Sequence, residues 1–170
     1  SFNKLDNAPD TSNSEVVIEK VRTRTGFKIK VLDNSMERYY QTLAVQAIYP
    51  DFAKIISSGT MMLDIGSGSI QASVYDKSEF VFSQNLLLGS LRIAGMLNDL
   101  QSRTTHYDEV LQEFIGQDLD DYHAMEPKGI IYKNLIAFSG EMGYIKQLAG
   151  YDAMSSVTIT KEEFLKVYNF

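Results

Sequence analysis

Residues 60–88 constrain the fold more than any other part of this chain. They hold three strand-like runs with only tight connections between them. Thr60–Ile65 is a continuous apolar run, as in a buried strand. Ile70, Ala72 and Val74 then alternate with Gln71, Ser73 and Tyr75, and Phe80–Leu88 follows the turn Asp76-Lys77-Ser78-Glu79. Parallel strands need a long crossover, whereas antiparallel neighbours can be joined by a few residues. The stretch therefore predicts a three-stranded antiparallel meander.

What flanks the meander is helical in pattern. Residues 1–14 are rich in Ser, Asn, Asp and Thr and read as a loose N-terminal segment. Glu15–Thr25 reads as a short helix with Val17, Ile18 and Val21 on one stripe and Gly26 as its stop. Phe27–Leu32 alternates Phe27, Ile29 and Val31 against Lys28 and Lys30, which predicts a half-buried strand. A helix follows, capped by Asp33 or Ser35, with Met36, Tyr40, Leu43, Ala44, Ala47 and Ile48 at helical spacing and Pro50 after its end. Beyond the meander, Gly89–Leu100 and Tyr107–Ile115 have helical periodicity, and Leu119–Met125 extends the second. Leu135–Phe138 reads as a short buried strand and Glu141–Leu148 as a helix. Thr160 and Glu163 form a capping box before a final helix. Three strands, then helix, strand and helix, make an α/β layer fold with a mixed sheet.

Composition narrows the partners. The 170 residues carry a net charge of −6, which argues against a generic nucleic-acid polymer as partner. No apolar run approaches the ~20 residues that span a bilayer, so no membrane partner is expected. The chain has no cysteine, which removes disulfides and thiolate metal sites and fits a cytoplasmic protein. An acidic domain that binds a phosphate polyanion needs local help from metal ions or oriented backbone amides.

One segment could give that help. Asp64-Ile65-Gly66-Ser67-Gly68-Ser69 sits between two predicted strands. Its glycines allow close backbone approach, its amides can cradle phosphate, its serines add hydroxyl donors, and Asp64 can hold Mg²⁺ directly or through water. The plainer reading is a Gly-Ser hairpin turn. His106 and His123 are isolated and read as surface or cap residues. Lys20, Arg22, Arg24, Lys28 and Lys30 read as a solvated basic face.

The segment Met61–Ser69 resembles the second phosphate loop of the Ppx/GppA (exopolyphosphatase / guanosine pentaphosphate phosphohydrolase) family, typically Asp-Ile-Gly-Gly-Gly-Ser-Thr-Glu. Residues 29–37 resemble its Ile-Ser-Gly-x-Glu-Glu-Ala-Arg segment. Leu86–Arg92 resembles Leu-Pro-Leu-Gly-x-x-Arg, and Ala137-Phe138-Ser139-Gly140 is similar to a later Gly-x-Ser-Gly-Thr turn. The four segments come in the family's order.

That resemblance implies an RNase H-like (actin-like ATPase) lobe, with residues 15–170 as the second lobe of the phosphatase domain and the first lobe and C-terminal domain absent. It implies release of a terminal phosphate from polyphosphate or guanosine pentaphosphate with Mg²⁺, and a homodimer as the candidate assembly of the full-length form. Glu37 and Asp64 match catalytic carboxylates, and Asp64 is the metal candidate. Gly66, Ser67, Gly68, Ser69, Arg92, Ser139 and Gly140 match phosphate-binding positions. Glu37 and Arg92 also fit ordinary structural roles, as a helix-start carboxylate and a solvated helix arginine.

Departures from the family pattern bear on turnover. Gln71 stands at the position of a catalytic glutamate, and Ile70 replaces a threonine. Ser67 replaces a glycine, in a position expected to strain the backbone. Tyr39 replaces an arginine, and Glu141 a threonine. Two other readings follow: a catalytically weakened phosphate- or nucleotide-binding relative, or a fragment of another actin-like ATPase such as a sugar kinase.

Overall fold

The computed structural model describes residues 11–140, 142–155 and 158–169. The chain divides into two compact units, residues 1–53 and 54–170.

In the first unit, α1 spans Thr11–Thr25. It begins four residues before the expected start. Gly26 ends it at φ +74, and its amide donates to Arg22 O at 2.9 Å. A positive φ is cheap only for glycine, which is why the helix stops there. Residues 27–33 form no strand. The alternation expected of Phe27–Leu32 is present, yet Phe27 is 73% exposed and Val31 45%. A strand needs a neighbour for its amides and carbonyls, and none among the described residues pairs with this segment. Helix α2 (Asn34–Ile48) follows, capped by Asp33, whose Oδ1 accepts from Met36 N at 2.8 Å. Glu37 lies in its first turn and is buried, as is Val45.

The second unit holds the sheet. Strands β1 (Thr60–Ile65), β2 (Ile70–Asp76) and β3 (Glu79–Leu86) form the expected antiparallel meander, preceded by the short α3 (Phe52–Ile55) at the sequence junction. Strand β4 (Asn134–Phe138) returns beside β1 in parallel, giving the order β3-β2-β1-β4. Between β3 and β4 run α4 (Ser90–Arg103) and α5 (Tyr107–Met125), the long crossover that a parallel neighbour requires. The second of these is one continuous helix through Met125. The expected helix near 141–148 is α6 (Met142–Leu148), with Glu141 outside the described residues. The final helix is α7 (Lys161–Tyr168).

The β2–β3 connection is a two-residue turn, with Lys77 at φ 53 and Ser78 at φ 65. Two successive positive φ values match the twist of the flanking strands. Further along, Val74 pairs with Phe82 but Tyr75 pairs with Phe80. Val81 is the extra residue of a bulge, and it shifts the register of the rest of β3 by one.

Central strand β2 is buried from Gln71 to Tyr75. On one sheet face, Ala72 and Leu86 pack with Leu88 and Tyr122, against Ile93 of α4 and Phe114 and Ile115 of α5. Burying each such large apolar side chain contributes about 1.5–3 kcal/mol, so this contact fixes α4 and α5 on the sheet. Near the start of β1, Asn134 Nδ2 donates to Thr60 Oγ1 and Ser58 Oγ, each at 3.2 Å. Thr160 and Glu163 form the expected capping box of α7: Thr160 N donates to Glu163 Oε2 at 2.8 Å, and Glu163 N to Thr160 Oγ1 at 3.2 Å. Tyr151 OH donates to Glu163 Oε1 at 2.6 Å.

Candidate active site

The parallel pairing of β1 and β4 decides where the site lies. Asp64 is opposite Phe138, so both strands end at the same sheet edge. The loop Gly66–Ser69 leaves β1 there, and Ser139-Gly140 leaves β4 beside it. Ligands of α/β sheets commonly bind outside the carboxyl ends of strands. The structure thus gathers Asp64, Gly66, Ser67, Gly68, Ser69, Gln71, Ser139 and Gly140 at one edge. Arg92 joins them through α4, described below. Glu37 belongs to the other unit.

The β1–β2 loop is closed by Gly66 N donating to Ser69 O at 2.9 Å. It is then tied from outside. Ser90 N donates to Gly66 O at 3.3 Å, Leu91 N to Ser67 O at 2.9 Å, and Arg92 N to Ser67 O at 3.3 Å. The first-turn amides of α4, which have no partner within the helix, are therefore occupied by loop carbonyls. No peptide bond among the described residues is cis, and in a trans peptide the N–H points opposite to the C=O. Turning the Gly66 and Ser67 carbonyls toward α4 turns the amides of Ser67 and Gly68 away from it. Two successive amides with a common outward direction make an anion-binding concavity.

Ser67 is not strained. The non-glycine residues at positive φ among those described are Lys77 and Ser78. The strain expected from a serine at this loop position is absent, because the loop turns without a left-handed residue there.

Asp64 pairs with Gln71, and Gln71 with Asn85. Paired residues point to the same sheet face, so the three side chains form a polar row across β1, β2 and β3 next to the loop. Gln71 is 8% exposed, and Asn85 and Asp64 are half-buried. One step further along this face, Ser73 Oγ donates to Ser83 Oγ at 3.3 Å. Asn85 was not among the residues the sequence singled out. Counting back from the Lys77-Ser78 turn without a bulge pairs Gln71 with Gln84. The bulge at Val81 puts Asn85 there instead, and nothing in the local sequence announces it.

Arg92 is half-buried in the first turn of α4. Its Nε is buried and meets no hydrogen-bond acceptor among the described residues. A buried donor without an acceptor is costly, on the order of 1–3 kcal/mol, and an anion at the loop would supply one.

Among the described residues no group of three or more His, Asp or Glu side chains converges. Asp64 is a single carboxylate at the loop. Mg²⁺ is commonly held by one or two carboxylates, with water and substrate phosphate oxygens completing the shell. A single carboxylate at the loop is compatible with that manner of binding. No helix among the described residues is long and apolar enough to cross a membrane.

Solved structures share this fold. The crystal structure of an exopolyphosphatase-like protein superposes with a TM-score of 0.70 at 16% identity, over 94% of this chain and 51% of that one. The Aquifex aeolicus Ppx/GppA phosphatase, in its type II variant, gives 0.60 at 18% identity, over 93% and 51%. An exopolyphosphatase from Cytophaga hutchinsonii gives 0.59 at 18%, over 93% and 52%. At these identities the likeness concerns the fold, a mixed α/β sheet of the actin-like, RNase H-like kind. The chain spans about half the length of these structures. No curated protein matches it in sequence. The model of the Ppx/GppA phosphatase family matches residues 8–170, nearly the whole sequence, and the chain belongs to that family.

Proposed function

We propose that this chain is the second lobe of a cytoplasmic phosphohydrolase that releases the terminal phosphate of polyphosphate or guanosine pentaphosphate. One observation carries the reading: α4 amides hold the Gly66 and Ser67 carbonyls, which for trans peptides turns the Ser67 and Gly68 amides away from that helix. Phosphoryl transfer depends on charge stabilisation and alignment more than on covalent chemistry. The loop amides and the Ser67 and Ser69 hydroxyls hold phosphate oxygens. Arg92 contributes a guanidinium whose Nε already lacks an acceptor. Ser139 and Gly140 supply a second turn at the same edge. Asp64 holds Mg²⁺ or positions water, and Mg²⁺ when bound neutralises charge developing on the phosphoryl oxygens. For Glu37, in the other unit, the family resemblance alone supports a role in orienting or deprotonating the attacking water. The first lobe of the site is contributed by sequence outside this chain, and a homodimer is the proposed assembly of the full-length form.

A second reading is favoured by Gln71. This buried residue lies beside Asp64 in the polar row. An amide neither accepts a proton usefully nor balances metal charge. A relative that binds phosphate compounds without turning them over fits that substitution.

Phosphate release with Mg²⁺ from polyphosphate and from guanosine pentaphosphate, measured on the full-length protein, separates the two. The hydrolase reading expects release that Asp64→Ala abolishes. Binding of either compound with no release supports the second reading, and absence of binding removes both.

A further inference from the structure

Gly89 is the N-cap of α4, yet its backbone angles are φ −68 and ψ 151. Any residue adopts those angles, so backbone freedom does not explain the glycine. Serine, aspartate or asparagine would cap the helix better, and Gly89 offers no side-chain cap. Space explains it. A Cβ built on Gly89 would overlap the Gly68 amide nitrogen, the Gly68 carbonyl carbon and the Ser69 amide nitrogen. These are backbone atoms, which cannot rotate aside as a flexible side chain can. In the same helix a Cβ on Gly95 would meet nothing within 4 Å.

We propose that Gly89 is a positioning residue for phosphate binding: by lacking a side chain it lets the start of α4 lie directly against the Gly68–Ser69 peptide, and this contact sets the direction of the loop amides. The inference rests on the phosphate-binding reading of the loop and adds a cause for its shape. Three amide donations from α4 hold the Gly66 and Ser67 carbonyls. They can form only while the two backbones touch. A methyl group at position 89 pushes them apart, releases those carbonyls and lets the Ser67 and Gly68 peptides rotate. The anion concavity is lost although Gly89 itself touches no phosphate.

The test uses the ¹⁵N-labelled full-length protein with tripolyphosphate as probe, following the amide resonances of Ser67 and Gly68. In the wild type both shift saturably. Gly89→Ala weakens that response at least tenfold while far-UV circular dichroism and the remaining amide spectrum stay folded. Gly95→Ala, in the same helix, leaves affinity unchanged. A milder probe covers the case in which Gly89→Ala does not fold. Leu91→Pro removes the Leu91 amide that donates to Ser67 O, at a first-turn position that tolerates proline, and it also weakens the response. If the wild type responds and Gly89→Ala or the folded proline variant binds as tightly, the positioning role is wrong. If the wild type shows no saturable shift at Ser67 and Gly68, the phosphate-loop reading itself falls, and the inference with it.

Discussion

The two hairpin connections of the meander solve the same problem by opposite means. The β2–β3 turn, Lys77-Ser78, is made locally: two residues in the left-handed region reverse the chain between Asp76 and Glu79. The β1–β2 loop, Gly66–Ser69, has twice the length and, besides its own Gly66 N to Ser69 O bond, is held from outside, by three amides of α4 and by contact with Gly89. A local turn spends its own backbone on closing the hairpin. The externally held loop has its carbonyls engaged on one side and so presents its amides on the other. The proposed anion site depends on the second arrangement and not on the first.

The largest expected effect comes from making the two connections alike. Replacing Gly66–Ser69 with the dipeptide Asn-Gly joins Ile65 to Ile70 by a local primed turn. The sheet signal in circular dichroism should persist while tripolyphosphate binding, followed by calorimetry, disappears. Retained binding would place the anion site elsewhere.

Next in size is Gln71→Glu in the full-length protein. General-base assistance is worth about 10²–10⁴-fold, so phosphate release should rise within that range, and Asp64→Ala should cancel the gain. No change with substrate still bound would mean that the row Asp64–Gln71–Asn85 does not limit turnover.

The pair Lys77→Asn with Ser78→Gly relieves two left-handed residues at the local turn. The gain should be about 1 kcal/mol, read as a higher urea midpoint at unchanged m. Tripolyphosphate affinity should not move. A change in affinity would show that the two connections are coupled.

The smallest effect at neutral pH concerns the layer that supports the loop. Tyr122 lies in the core with Leu86 and Leu88, and burial, then the charges of Tyr132 and Glu126, raise its pKa from 10.0 to about 12. The fold favours the neutral phenol. Its contribution is fully present below pH 10 and is lost as pH rises through about 12. Urea unfolding should show stability constant through neutral pH and falling from pH 10 upward, with a shallower fall in Tyr122→Phe. An equal fall in both would assign the alkaline loss to other groups.

Much of this was legible in the sequence because it depends on local pattern. The meander, the crossover helices, β4 and the capping box at Thr160 follow from periodicity, turn chemistry and caps. The strand expected at 27–32 failed because alternation describes a strand's faces and says nothing about its neighbours. Asn85 escaped because the Val81 bulge changes register without a sequence signal. Gly89 reads in sequence as the start of a helix. Its reason is the Gly68–Ser69 peptide about twenty residues earlier, and only three-dimensional proximity reveals that.

A crystal structure of the full-length protein grown with tungstate, a heavy tetrahedral analogue of phosphate, locates the anion site most directly. An anomalous peak is expected within hydrogen-bond distance of the Ser67 and Gly68 amides, with α4 still donating to the Gly66 and Ser67 carbonyls. A peak elsewhere with this loop empty, or an anion seated directly on the freed first-turn amides of α4, would contradict it.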